Sequence, residues 1–239
     1  MNILIAGDSW GKGAYTFCSN SKRYIINHPG LEYYLTVHNH KVTNLSVPSY
    51  SNYDIYLSLR KANIKEYDFI MVFFTNPLRD LYSKHTYNFL NVNKRSLTLE
   101  KFKEFYNRLS IDYCKLLSYL NVKIHLLGGQ NKIIASHNTS SNINIVLPSI
   151  REWLYPNYEE NFYQGMCSNY LFKNRNSKDF YNNLDLETLD YILEMRAKKD
   201  SVAKAHEKYF ASDNVHLNLL GHKKLSEYLL SNILPAEKI

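Results

Sequence analysis

The chain has 239 residues, 45% hydrophobic and 21% charged, which is the balance of an ordinary globular protein. Its aromatic fraction of 14%, with 21 Tyr and 11 Phe, excludes intrinsic disorder, because so much bulky apolar surface cannot remain in water. The formal charge of +7 would suit an anionic partner, but the cations come as scattered pairs such as Lys22-Arg23 and Lys223-Lys224, so a solvated basic surface is expected rather than nucleic-acid binding.

In chain order, Asn2 to Ala6 reads as a buried strand ending at Gly7. No basic region precedes it and Asp8 follows at once, so no signal peptide is expected and the cytoplasm is the expected location. Pro29-Gly30 opens a helical stretch, Leu31 to His38, with Leu31, Tyr34, Leu35 and His38 on one face. Lys41 to Val47 is a second strand. Tyr53 to Ile64 reads as a helix after the Ser49-Tyr50-Ser51-Asn52 turn, which offers caps. Phe69 to Phe74 is a third strand, six apolar residues that only a sheet covered on both faces tolerates. It is also the longest apolar run, far short of the ~18 residues a bilayer span needs.

Thr98 to Leu120 is the longest predicted helix, Val122 to Leu127 a fourth strand and Asn144 to Leu147 a fifth. Between Pro148 and Asp185 the sequence is aromatic and Asn-rich without a period, so an irregular insertion is expected at about 148–185. Leu186 to Phe210 returns to helix. Leu219 to Leu234 closes the chain as a helix with Leu220, Leu225, Leu229, Leu230 and Ile233 inward. Strands alternating with helices predict one α/β domain over residues 1–239, with four or five parallel strands. Cys18, Cys114 and Cys167 are widely spaced, odd in number and without a CxxC pair, so neither a disulfide framework nor a zinc site is indicated and a reducing compartment fits best.

Reactive groups in open parallel sheets gather beyond the carboxyl ends of the strands. The first such junction, Ile5-Ala6-Gly7-Asp8-Ser9-Trp10-Gly11-Lys12-Gly13, supports two readings. Ala6 to Lys12 has the spacing of a phosphate-cradling loop, but Gly13 stands where a hydroxyl should hold magnesium and Asp8 would put a carboxylate against phosphate. As a nucleophile site the loop makes better sense, with Ser9 projecting from a tight turn at the strand end. Serine needs a base. Asp213 and His216, three apart before the last helix, supply one, the carboxylate fixing the imidazole tautomer. That acid at −3 distinguishes His216 from its nearest rival, His222.

Gly7-Asp8-Ser9 after the first strand and Asp213-Asn214-Val215-His216 before the last helix resemble the first and last sequence blocks of the SGNH (GDSL) hydrolases, a superfamily of serine esterases, lipases, thioesterases and carbohydrate deacetylases. The resemblance implies a flavodoxin-like three-layer α/β/α sandwich and a Ser9, His216, Asp213 triad. The family's second block fits Asn44 to Ser49, with Ser49 where a Gly usually gives its N–H to the oxyanion hole. Its third block falls on Phe74-Thr75-Asn76-Pro77, with Asn76 as side-chain donor and Thr75 as fallback. The implied oxyanion hole is therefore Ser9, Ser49 and Asn76.

Three further residues are candidates for substrate contact: Thr75, Arg79 towards an anionic substituent or in a surface ion pair with Asp80, and Trp10 stacked on a sugar or packed in the core. Trp153, Tyr155, Tyr158, Phe162 and Tyr163 suit either a lid or a satellite core. The expected activity is cleavage of a small-molecule or glycan ester, with no metal and no cofactor. The competing expectation is a weak or inactive glycan-binding module on the same fold. The oligomeric state is not indicated.

Overall fold

The computed structural model describes residues 1–18, 21, 23–77, 99–129, 132–135, 140–155, 208–211 and 216–234. Five strands form one parallel sheet: β1 (Asn2–Ala6), β4 (Lys41–Asn44), β5 (Phe69–Phe74), β6 (Ile124–Gly128) and β7 (Ile143–Leu147). Their spatial order is β4-β1-β5-β6-β7, with Ile5 registered on Asn44 at one side and on Met71 at the other. This is the flavodoxin-like order. The chain moves outward from β1 to β4, then crosses back to β5 and continues the other way, so the β1/β5 boundary is the topological switch point.

Alternation along each strand divides the apolar side chains between two faces. Ile3, Ile5, Met71, Phe73 and Leu127 share a core with α2 (Leu31–Val37) through Leu31 and Leu35, and with α6 (Leu219–Asn232) through Leu225 and Leu229. Leu4, Ala6, Ile70, Val72, Phe74 and Leu126 meet α3 (Asn52–Lys61) through Ile55 and Leu59, and α4 (Leu99–Ser118) through Tyr113 and Leu117. Helices thus cover both faces, and all six residues of β5 are buried. Among the described residues no helix is long and apolar enough to cross a membrane.

Local chemistry fixes the ends. The side chain of Ser51 accepts from the Asp54 N–H while Asp54 accepts from the Ser51 N–H, a capping box that starts α3. Asn218 caps α6 by accepting from the Gly221 N–H at 2.9 Å. β4 stops at Asn44 rather than Val47, because the Asn44 side chain accepts from the Ser46 N–H and donates to the Gly11 carbonyl and to Glu32.

Three further expectations change. A hairpin, β2 (Ala14–Cys18) against β3 (Arg23–His28), stands outside the main sheet where no element was predicted. The inner stripe of α6 runs through Gly221, His222, Leu225, Ser226 and Leu229, leaving Leu220 exposed; an added Cβ at Gly221 would overlap the Tyr209 carbonyl, so this face is pressed against that segment. Phe210 pairs with Leu217 in an antiparallel bridge instead of ending a helix. The rest of the predicted Leu186–Phe210 helix, and the 148–185 segment beyond residue 155, lie outside the described residues.

Candidate functional site

At the switch point, β1 ends against β5 so closely that a Cβ at Gly7 would stand 2.8 Å from the Phe73 Cβ. The next residue turns the chain into the four-residue helix α1 (Ser9–Lys12): Asp8 Oδ1 accepts from the Trp10 N–H at 3.0 Å. Its other oxygen accepts from the Thr75 hydroxyl at 2.6 Å. Asp8 is therefore a buried tie between the ends of β1 and β5, and it holds an amide that a phosphate-binding loop would need. Ser9, first residue of α1, is 5% exposed.

The second segment is fastened to the same place by the Val47 N–H, which donates to the Gly7 carbonyl at 3.1 Å. Tyr50 N–H then donates to the Val47 carbonyl at 3.2 Å, closing a four-residue turn with Pro48 second and Ser49 third. Ser49 has φ 70°. Proline followed by a positive φ is the signature of a type II turn, whose third position favours glycine. The turn uses the Tyr50 N–H for its own bond and leaves the Ser49 N–H outside it.

The third segment begins where β5 ends. Asn52 is fully buried, and its amide grips Thr75 from both sides: Nδ2 donates to the Thr75 carbonyl and Oδ1 accepts from the Thr75 N–H, each at 3.0 Å. With its hydroxyl donating to Asp8 as well, Thr75 has its N–H, its carbonyl and its hydroxyl all partnered within the fold. Asn76, 4% exposed, follows this anchored residue. Asn52 was missed in the sequence. The available signal was a polar residue on the stripe Asn52, Ile55, Tyr56 and Leu59 that α3 buries.

The last segment comes from the other end of the chain. Trp10 is buried at 2% exposure and packs edge-on against Phe210 at 5.8 Å, so of its two expected roles it takes the packing one. Phe210 bridges to Leu217, next to His216. This chain of contacts ties the neighbour of Ser9 to the neighbour of His216 across some 200 positions. The half-buried His216 ring lies flat on Tyr15 of β2, with centroids 4.1 Å apart and planes 22° apart, and 6.4 Å from Tyr24 of β3. Asp213 and Arg79 lie outside the described residues, as do Tyr158, Phe162 and Tyr163. Trp153 of α5 (Ile150–Leu154) packs on Tyr228, and Tyr155 on Phe210, beside the core.

His222 sits elsewhere. Its ring is fully buried over Gly30 and near Gly13, and neither nitrogen has a well-formed hydrogen bond. Burial pushes its pKa down to about 4; the Gly13 backbone, approaching without good hydrogen-bond geometry, offsets this only in part, and His28 adds to the depression. Such an imidazole is a packed, neutral side chain. No group of three or more His, Cys, Asp or Glu able to hold a metal occurs among the described residues.

No family model matches the chain, and no curated protein matches it. Solved structures similar along most of its length include a lipase/acylhydrolase from Enterococcus faecalis (13% identity, 97% of this chain and 94% of that one, TM-score 0.41). Another is the acetyl xylan esterase AlAXEase (13%, 98% and 100%, TM-score 0.41). A third is the lipase Lip_vut3 from a goat rumen metagenome (15%, 97% and 96%, TM-score 0.47). At such values the likeness is one of chain extent. The fold is established by the strand order.

Proposed function

We propose that the chain is a serine hydrolase of the SGNH type that cleaves an ester, removing a small acyl group from a carbohydrate or another polar carrier. The observation that carries this reading is the binding together of three strand-end segments at the switch point: Gly7-Asp8-Ser9, Val47-Pro48-Ser49 and Thr75-Asn76, joined through Val47 to Gly7 and Thr75 to Asp8. A nucleophile and two oxyanion donors need to meet in this way.

In this mechanism His216 takes the proton of Ser9 Oγ as that oxygen attacks the ester carbonyl carbon, and Asp213 holds the imidazole by its other nitrogen. The carbonyl electron pair moves onto oxygen, where the N–H groups of Ser9 and Ser49 and the side-chain amide of Asn76 receive it. Collapse breaks the bond to the carrier oxygen, which takes the proton from His216. Water, deprotonated by the same base, then frees the acid from acyl-Ser9. The cycle balances without metal or organic cofactor.

Fluorophosphonate labelling and hydrolysis of p-nitrophenyl acetate and acetylated sugars test it. The wild type is expected to label at Ser9, and Ser9→Ala to lose both labelling and turnover, by roughly 10⁴-fold or more. Labelling that survives in Ser9→Ala overturns the assignment. A folded wild type that neither labels nor cleaves favours a non-catalytic glycan-binding module instead. Preference for acetyl over long-chain p-nitrophenyl esters checks the small-acyl part separately.

A further inference from the structure

The β2–β3 hairpin lies between α1, which begins with Ser9, and α2, and it does not extend the sheet. It is held against the C-terminal segment in two ways. The Tyr15 N–H donates to the Leu217 carbonyl at 3.2 Å, pinning the backbone beside His216, and the Tyr15 ring lies flat on the His216 imidazole at 4.1 Å. Tyr15 is itself only 8% exposed, so its ring is a fixed wall rather than a swinging side chain. On the far side of the His216 segment, its own carbonyl accepts from the Ala211 N–H at 2.8 Å, which fixes the backbone from which the imidazole projects.

We propose that Tyr15 is a positioning residue for the general base: it sets the plane of the His216 ring and offers an aromatic face to the positive charge the imidazole acquires. This rests on the hydrolase reading above. An acid hydrogen-bonded to one ring nitrogen leaves the ring able to rock about that bond; a flat aromatic neighbour removes that freedom. The two contacts are complementary, one along the ring's edge and one on its face. The face also interacts more strongly with imidazolium than with neutral imidazole, so it favours the transition state over the ground state. The phenol hydroxyl has no part in this, so phenylalanine should serve equally well and an aliphatic residue should not.

The decisive measurements are steady-state kinetics of Tyr15→Leu and Tyr15→Phe, with NMR of the His216 ring C–H protons assigned through His216→Gln. Tyr15→Leu is expected to lower kcat about tenfold with KM within about twofold, and Tyr15→Phe to keep both near the wild type. The wild-type ring protons are expected upfield from the shielding face of Tyr15, still so in Tyr15→Phe and downfield in Tyr15→Leu. Wild-type ring protons at free-imidazole positions overturn the proposal without any variant having to fold. So does equal kcat in the Leu and Phe variants, while leaving the hydrolase reading intact. An upfield-shifted ring in a wild type that does not label at Ser9 overturns both.

Discussion

Ser49 occupies a conformation that a residue with a Cβ enters at a cost of about 1–2 kcal/mol, and it does so at an exposed corner directly after Pro48. Ser49→Gly is therefore expected to stabilise the fold, by up to about 1 kcal/mol once glycine's extra unfolded-state entropy is deducted, read as a higher urea midpoint at unchanged m-value. Turnover should be retained or raised, since the N–H is kept. A lower midpoint would show that the serine side chain has a stabilising contact that outweighs the strain. The succession Pro48-Ser49 invites a turn, but only the structure gives its sign of φ. Thr75 looked free because its partners, Asp8 and Asn52, stand 67 and 23 positions away.

Among the elements, β6 and α6 each bury a histidine in a neutral form. His125 stacks on Phe69 at 3.9 Å and its Nδ1 accepts from Asn144 at 3.1 Å; burial, with help from Lys123, pushes its pKa down to about 4. His222 is depressed to about 4 as well. A folded-state pKa below the ordinary 6.5 means the unfolded chain binds the proton more readily. The stability contributed by the neutral ring is thus complete above about pH 6.5 and is lost as the pH falls towards 4, up to roughly 3 kcal/mol for each. Urea midpoints should fall steeply from pH 7 to pH 4.5, and His222→Leu should show a shallower fall; an unchanged slope would mean that His222 does not titrate on unfolding. The strands and helices that carry these residues were legible because their apolar residues follow periods of 2 and 3.6 against a common core. The hairpin was not. Ile25 and Ile26 are exposed on it, 45% and 38%, so its pattern does not report a buried face.

At the scale of the molecule, the order of sequence blocks was legible because a parallel sheet sends every strand's carboxyl end to one side, which puts Ser9 and Asn76 together without further information. What the order could not convey is how the C-terminal segment is held there, since Trp10 on Phe210 and Tyr15 on Leu217 are contacts between surfaces rather than between motifs. The fold has one further consequence. Ala14 pairs with His28, and a Cβ on Gly30 would stand only 3.0 Å from the Gly13 Cα, so the β2–β3 excursion leaves and rejoins the body through almost the same point. An insert whose two ends touch can be cut out and the gap closed by a short linker with little loop-closure penalty. Replacing residues 14–29 with two or three glycines should leave the helical and parallel-sheet circular dichroism of the rest in place while slowing Ser9 labelling at least as much as Tyr15→Leu. Collapse of the whole spectrum would show the excursion to be part of the folding unit. Survival would make it an exchangeable cassette, through which the surroundings of His216 could be altered without redesigning the sheet beneath.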